Sequence, residues 1–329
     1  MSTIGIDFFI NSRTQPFIEA SCREAQETVT ALRRRGGHVQ LRFHEAHEDV
    51  ELQLEQIRSQ ALLRGAGETH RLLLILPLRL QTVAAIARGI IPGSPEHLSW
   101  AFLHQRLPAD IALKVPELRQ RPVYCVGADQ EKMGELQARL LQSLFWQDDG
   151  HPVDVVYLQG PMHSPATARR SAGFRAQLAR TPRFQILTQM LFGEWSTKAA
   201  LESLDEAGVC RLLPFTRAAV AHNDEMALGL REYCRANGRP DVPSIGIDGL
   251  DTVGKRRVDE GELTATVVQP LCIRQAFLMH VKRVMPELLT EAERRKTPDV
   301  APCGDTCIAP EPYPVLDHLD GTTCQRSVA

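Results

Sequence analysis

Acceptor-rich side chains follow two neighbouring apolar segments in the last third of the chain. Asn223 and Asp224 follow AVAH, and Asp248 follows SIGI. If both segments are parallel strands, their carboxyl ends meet at one edge of a sheet, and these side chains form one wall of a ligand site. A local alternative stays open, because Asn and Asp also favour helix starts and the turns after strands.

The chain carries no arrangement typical of an enzyme. The patterns G-x-S-x-G, and G-x-G-x-x-G after the first strand, are both missing. Asp248 beside His222 could be drawn as an acid–base pair, but no third group is evident that would orient it. We therefore predict a protein that is not an enzyme, with no catalytic residues and no cofactor.

Two groups of potential metal ligands were weighed and set aside. His44 and His47 in HEAHED are three residues apart, whereas the helical zinc motif needs histidines four apart, so a solvated loop is the better interpretation. Cys303, Cys307 and Cys324 lack a paired Cys-x2-Cys or a histidine partner. No metal site is predicted.

Charge and hydropathy exclude two classes of partner. The 329 residues include 38 basic and 40 acidic side chains, a net charge of -2, so no global field holds a nucleic acid. The longest apolar run, LLLILPL, contains Pro77 and is far shorter than the roughly 20 residues of a membrane span. We expect neither nucleic-acid binding nor direct membrane insertion.

The start of the chain and its cysteines bear on location. MSTIGIDFFI enters a strand pattern directly, without the basic and apolar regions of a signal peptide. Eight cysteines, mostly within apolar patterns, suit a reducing compartment. The sequence as written predicts a cytoplasmic protein, and a periplasmic one if the true start lies upstream.

Strand-like and helix-like periods alternate along the chain, which is typical of parallel sheets with crossover helices. The first half supplies the strand patterns IGIDFFI, HVQLRFH, HRLLLILPL, LSWAFLH and RPVYCVGAD. The pattern restarts after Asp129 with VDVVYLQG and FQILTQML, and the two segments before Asn223 and Asp248 follow. The predicted fold class is α/β with two similar doubly wound halves, then one long helix over 270–296 and a largely irregular tail.

Three motifs near the C-terminal end resemble a known family. NDEMALG, GIDG and TATVVQP, in that order and spacing, resemble the type I periplasmic binding proteins, especially the ribose-binding-protein-like sugar-binding branch shared with lactose-repressor-like effector domains. INSRTQPFIEA, VGADQEKMG and ARRSAGF resemble other parts of the same family. The resemblance covers most of the chain.

The resemblance implies two doubly wound parallel-sheet lobes joined by three hinge crossovers. The N-terminal lobe would comprise 1–128 and 270–298, and the C-terminal lobe 129–269 and 299–329. Such proteins hold their ligand in a cleft between the lobes and close over it by hinge motion.

The resemblance also implies a set of ligand-binding residues. Amides and carboxylates in that set can bridge neighbouring hydroxyls, an arginine adds a forked donor, and aromatic rings can lie against the apolar face of a sugar. A helix-start role for the first aromatic residue and a surface-plug role for the tryptophan remain alternatives. The residues carried over are Gln15, Phe17, Gln105, Arg106, Trp195, Asn223, Asp248 and Gln269.

Three positions depart from the ribose-type pattern. Gln105 stands where the family has aspartate, Ala168 where it has a ligand-facing arginine, and Ile18 where it has a second aromatic residue. These departures argue against ribose itself and leave another sugar or a polyol as the expected ligand.

The predicted function is that of a bacterial, non-enzymatic solute-binding protein for a sugar or polyol, which supplies the ligand to the membrane subunits of an ABC-type transporter. The alternative is a cytoplasmic ligand sensor that signals to a partner protein. A transcription-regulator effector domain is disfavoured, because the first strand begins at Ile4 and leaves no room for a preceding helix-turn-helix.

Overall fold

The structure is a computed structural model that describes residues 2–63, 68–147, 150–298 and 305–313. The chain forms two compact units. The first lobe consists of Met1–Ala128 and Leu271–Ile308, and the second lobe of Asp129–Pro270 and Ala309–Ala329. The chain therefore passes between the lobes three times.

Strands and helices alternate through both lobes, as the sequence periods predict. The strands are β1 (Thr3–Ile10), β2 (His38–Glu45), β3 (His70–Ile75), β4 (Ser99–Leu103), β5 (Val123–Ala128), β6 (Val153–Leu158), β7 (Phe184–Ile186), β8 (Ala218–Ala221), β9 (Ser244–Asp248), β10 (Ala265–Val268), β11 (Asp305–Ile308) and β12 (Glu311–Tyr313). The α-helices are α1 (Pro16–Arg34), α2 (Val50–Leu62), α3 (Leu80–Gly89), α4 (Ala109–Lys114), α5 (Gln130–Leu144), α6 (Pro165–Leu178), α7 (Thr197–Glu206), α8 (Asp224–Ala236), α9 (Arg256–Asp259), α10 (Ile273–Val284) and α11 (Glu291–Lys296).

The first lobe is a parallel sheet in the order β11-β5-β4-β3-β1-β2. Side chains of a strand alternate between its two faces, so β1 supplies both cores. Ile6 and Phe8 pack with α1 and α10 on one face, and Phe9 packs with residues of α2 and α3 on the other. Helices on both faces explain why the strands are apolar runs rather than alternating patterns.

The second lobe repeats this plan with the order β12-β10-β9-β8-β6-β7. Its strands are parallel except β12, which pairs antiparallel with β10 at the edge of the sheet. The predicted fold class of two similar doubly wound lobes is confirmed.

A charged cluster lies on the face of the first sheet that α2 covers. Asp7 on β1 is fully buried, and it accepts hydrogen bonds from Arg42 Nε at 2.7 Å and from Arg71 Nη2 at 2.9 Å. His44 Nε2 lies 3.0 Å from Asp7 Oδ1, and the buried Glu68 pairs with both arginines. His44 is therefore a strand residue with an acidic partner, which corrects the expectation of a solvated loop.

The C-terminal segment departs from the sequence expectation in two places. The helix predicted over 270–296 is divided, because α10 ends at Val284, Pro286 begins a short 3-10 turn, and Thr290 caps α11 with a capping box. Asp305–Ile308 pairs with β5 in the first lobe, although 299–329 was expected to lie wholly with the second.

In the described parts of the chain, no helix is both long enough and apolar enough to cross a membrane.

Candidate functional site

The carboxyl edge of the first sheet holds the residues predicted there. Gln15 is the half-buried residue before α1, and Phe17 lies in the first turn of that helix. The Phe17 ring packs edge-on against His104, with 5.4 Å between ring centroids. Gln105, half-buried, and Arg106, exposed, directly follow His104. The structure thus brings Phe17 next to the turn that carries Gln105 and Arg106.

His104 holds this turn against the start of the third crossover. Its Nε2 lies 3.1 Å from the carbonyl oxygen of Leu271. His104 has a φ of 56°, a left-handed conformation that favours glycine. A side chain at Gly127 would meet the His104 backbone at 2.9 Å, so β5 approaches this turn closely.

In the second lobe, Asn223 has two structural roles. Its Oδ1 accepts a hydrogen bond of 2.9 Å from the Met226 amide and so caps α8. Its Nδ2 donates to the carbonyl oxygen of Trp195 at 3.0 Å. The local interpretation of Asn223 as a helix cap therefore describes its contacts, and the residue also holds the Trp195 loop.

Trp195 is half-buried and has a φ of 61°. Its ring lies over Gly160, in the loop after β6: a Cβ placed on Gly160 would stand 2.2 Å from Trp195 Cη2. The guanidinium carbon of Arg170 lies 5.5 Å from the ring centroid, which is a cation–π distance. The ring occupies a slot that only glycine at position 160 leaves open.

Arg170, on α6, is 4% exposed and connects several parts of this wall. Its Nε donates to Gln130 Oε1 at 2.8 Å, its Nη1 to the carbonyl oxygen of His222, and its Nη2 to Gln269 Oε1. Burial lowers the pKa of Arg170, while Asp248 and other acidic groups oppose that shift. Gln269, predicted as a ligand residue, is thereby fixed through its oxygen, and its amide nitrogen is the group left to donate.

Asp248 ends β9 as a half-buried residue with a φ of 117°. Among the described residues, no donor reaches its carboxylate with a hydrogen bond. Burial raises the pKa of Asp248 to about 7, against the opposing influence of Arg170 and with a smaller contribution from Glu225. A carboxylate with open acceptor positions and a costly charge is suited to bind hydroxyl donors.

Asp224 is the buried counterpart of Asp248. It is 1% exposed and accepts hydrogen bonds from Thr266 Oγ1 at 2.6 Å and from the Gly249 amide at 2.7 Å. Burial raises the pKa of Asp224 well above its usual value, and the neighbouring Asp248 raises it further. Asp224 shapes the turn after β9, because a Cβ on Gly246 would stand 2.1 Å from its Oδ1.

The second wall is thus one connected arrangement. Trp195 is linked to Asn223 and Arg170, and Arg170 is linked to Gln269 and electrostatically to Asp248. Together these groups offer an apolar ring face, an amide donor and an unoccupied carboxylate acceptor, a combination that can bind a small hydroxylated ring. In the described ranges, no group of three His, Cys, Asp or Glu side chains could hold a metal ion.

Sequence reasoning did not assign a role in this wall to Arg170, Gly160 or His222. Arg170 belongs to the recognised ARRSAGF motif, but its partners come from segments up to 99 residues away. Gly160 follows the predicted strand VDVVYLQ directly, and a glycine at a strand end is a signal of close approach that could have identified it.

Comparison with known proteins identifies the family. Residues 6–271 match the model of the periplasmic binding protein domain. The chain is 23% identical to the xylitol-binding protein of Mycolicibacterium smegmatis over 71% of this chain and 60% of that protein. It is 25% identical to the D-apiose import binding protein of Actinobacillus succinogenes over 79% and 74%, and 32% identical to the ribose import binding protein of Escherichia coli over 36% and 39%. The chain therefore spans less than two thirds of the xylitol- and ribose-binding relatives.

Solved structures show the same fold. A Caulobacter myo-inositol binding protein bound to myo-inositol superposes with a TM-score of 0.71 at 20% identity, over 98% of this chain and 96% of that one. The fructose binding periplasmic domain of a hybrid two component system, BT1754, gives 0.68 at 17% identity, over 95% and 90%. The resemblance first seen in NDEMALG, GIDG and TATVVQP is confirmed. This chain belongs to the type I periplasmic binding proteins, in the ribose-binding-protein-like sugar-binding branch.

Proposed function

We propose that this protein is a non-enzymatic binding protein for a neutral, ring-shaped sugar or cyclic polyol. The observation that carries the proposal is the carboxylate of Asp248, which lies at a strand end beside Arg170 and makes no hydrogen bond within the described residues. Two vicinal hydroxyls of a ligand would supply the missing donors, and Trp195 would lie against the C–H face of the ring.

The ligand contacts of the proposal extend to both lobes. Phe17, Gln105 and Arg106 at the edge of the first sheet are proposed to contact the ligand, together with Gln15. On the second wall we propose Trp195, Asn223, Asp248 and Gln269. Closure of the lobes over the ligand belongs to the same proposal, and a smaller radius of gyration with ligand in X-ray scattering would support it.

The formal charges of these residues support a neutral ligand. Arg106 is the one cation in the proposed set and Asp248 the one carboxylate, so the set is balanced. A phosphorylated or carboxylated sugar would bring an additional negative charge to a wall whose exposed acceptor is already a carboxylate, which costs binding free energy.

The printed functions of the relatives support the same class. The matched proteins bind xylitol, D-apiose and ribose, all polyhydroxylated compounds. Two of them are import binding proteins, so we propose delivery to an ABC-type transporter in the periplasm as the cellular role. The second candidate is a sensor with a signalling partner, which the likeness to a domain of a two-component system favours. Deleting the gene distinguishes them: loss of ligand uptake supports transport, and loss of a transcriptional response with normal uptake supports sensing.

The direct test is a thermal-shift screen of the purified protein. The compounds are aldopentoses, aldohexoses, inositols and linear alditols, with sugar phosphates and amino acids as controls. A compound that binds only the folded protein at 100 times its Kd stabilises it by about 2.7 kcal/mol. A shift with a neutral cyclic compound is the expected result. A shift confined to sugar phosphates, amino acids or other charged compounds would contradict the proposal.

Affinity is expected to depend on pH through Asp248. Its pKa in the free protein is raised to about 7 by burial, and hydroxyl donors from a ligand favour the charged form and lower that pKa in the complex. The complex therefore binds fewer protons than the free protein. Affinity is highest above pH 7 and falls as pH drops through 7, by up to tenfold per pH unit.

Isothermal titration calorimetry of the best compound from pH 5.5 to 8.5 measures this dependence. In two pH 7 buffers with different ionisation enthalpies, the observed heats should differ because protons are released on binding. The Asp248→Asn variant, tested at high ligand concentration, should lose the dependence. A wild-type affinity that stays constant over this range would contradict the assignment.

A further inference from the structure

A buried chain of three groups lies behind the Trp195 wall. Tyr157 on β6 and His222, which follows β8, are both fully buried. Tyr157 Oη lies 2.5 Å from His222 Nε2, and the Gly160 amide donates to His222 Nδ1 at 3.0 Å. Tyr157 itself is fixed by stacking on Phe174, with 4.4 Å between ring centroids. The imidazole therefore connects a rigid strand residue to the loop that carries Gly160.

The contacts determine the tautomer of His222. Because the Gly160 N–H points at Nδ1, that nitrogen must keep its lone pair. A neutral ring then carries its proton on Nε2 and donates to Tyr157 Oη. Burial lowers the pKa of His222 well below its usual value, and Arg170 and Arg175 lower it further, which favours the neutral form.

The same residue holds the wall at two further points. The main-chain oxygen of His222 accepts from Arg170 Nη1, and Arg170 lies under the Trp195 ring. Gly160 lies against the Trp195 ring itself, with its missing Cβ only 2.2 Å from Cη2. Movement of the Gly160 loop by a fraction of an ångström would therefore displace the ring.

We propose that His222 is a positioning residue of the binding site: its ring, held by Tyr157, fixes the Gly160 loop and thereby the Trp195 ring, which sets the affinity for ring-shaped ligands. The role in affinity rests on the proposed function, whereas the fixing of Trp195 is independent of any ligand. His222 itself is buried, so it acts through Gly160 and Trp195 and not by contact with the ligand.

Two substitutions separate hydrogen bonding from packing. His222→Gln can keep one acceptor for the Gly160 amide and one donor for Tyr157, whereas His222→Leu keeps the volume approximately and removes both. Gly160→Ala leaves the hydrogen-bonding groups in place but fills the slot of the ring, and it tests the link if His222→Leu fails to fold. His280→Leu is the matched control, because His280 in the first lobe is equally buried and neither ring nitrogen has a hydrogen-bond partner among the described residues.

The ligand-free readout is 19F NMR of protein labelled with 5-fluorotryptophan. The chain has three tryptophans, and Trp195→Phe assigns the resonance of interest. His222→Leu and Gly160→Ala should shift or broaden the Trp195 resonance and raise its accessibility to the quencher acrylamide at least twofold, roughly the effect of releasing a held side chain. His222→Gln and His280→Leu should leave it at the wild-type position.

The binding readout is the Kd for myo-inositol, D-ribose and xylitol, two cyclic probes and one linear. His222→Leu should weaken the cyclic probe that binds best by roughly tenfold, the equivalent of one lost hydrogen bond, and His222→Gln by less than about twofold. An unchanged Trp195 resonance in both His222→Leu and Gly160→Ala would overturn the positioning role. So would a His222→Gln variant that behaves like His222→Leu. If the wild-type protein binds none of the screened compounds, the proposed function fails, and the Trp195 resonance alone still decides the positioning role.

Discussion

Replacement of Asp248 by Asn is expected to weaken binding of the preferred sugar or polyol by about 100-fold or more. Each hydrogen bond to a charged acceptor contributes about 1.5–3 kcal/mol, and the carboxylate is proposed to accept two. The melting temperature of the ligand-free protein should stay the same or rise slightly, because Asp248 no longer carries a charge whose burial is unfavourable. Calorimetric titration and differential scanning calorimetry measure the two effects.

Asp205→Asn is a suitable control for this experiment. Asp205 is an exposed residue of α7, so its replacement should change neither the Kd nor the melting temperature. A Kd for Asp248→Asn within threefold of the wild-type value would remove Asp248 from the proposed ligand contacts. A large fall in the melting temperature without ligand would instead assign it a structural role.

Replacement of Asp7 by Ala should destabilise the first lobe by about 3–5 kcal/mol, because removal of one member of a buried ion pair leaves its partners with uncompensated charge. Those partners are Arg71, which is 6% exposed, and Arg42, with His44 beside them. Urea unfolding followed by far-UV circular dichroism should show an earlier first transition. The transition of the second lobe should be unchanged if the lobes unfold separately.

The pH dependence of stability tests the same cluster. Burial alone would raise the pKa of Asp7, but hydrogen bonds from His44, Arg42 and Arg71 outweigh it and hold the pKa far below the usual range. For a carboxyl group of this kind, the stabilisation is present above pH 4 and is lost as pH falls toward the folded-state pKa. Asp110→Ala, which breaks an exposed pair with Arg88, should cost less than about 1 kcal/mol. An Asp7→Ala loss no larger than that would show that the cluster contributes little.

The alternation of strand and helix patterns was sufficient to predict the fold class, because crossover helices on both faces make every strand a short apolar run. The same pattern located Asn223 and Asp248 at strand ends, which the structure shows. The break at Pro286 was also visible in the sequence, since proline disfavours helix continuation, and the predicted helix over 270–296 ignored it.

The internal wiring of the second wall was not accessible from the sequence. Arg170 could have faced solvent, as most arginines do, and its burial depends on acceptors from three separate segments: Gln130, His222 and Gln269. The place of Asp305–Ile308 beside β5 was likewise hidden, because a four-residue strand at a sheet edge carries too little pattern to indicate its partner.

The left-handed backbone at His104, Trp195 and Asp248 has a consequence for directed evolution of this protein. Each non-glycine residue in such a conformation costs of the order of 1–3 kcal/mol, which glycine would largely avoid. Selection of variants on heat resistance alone should therefore favour Asp248→Gly and similar changes, and should return robust proteins that no longer recognise their ligand. A biosensor built on this scaffold needs selection for binding at every round, with the added heat resistance sought at positions outside these turns.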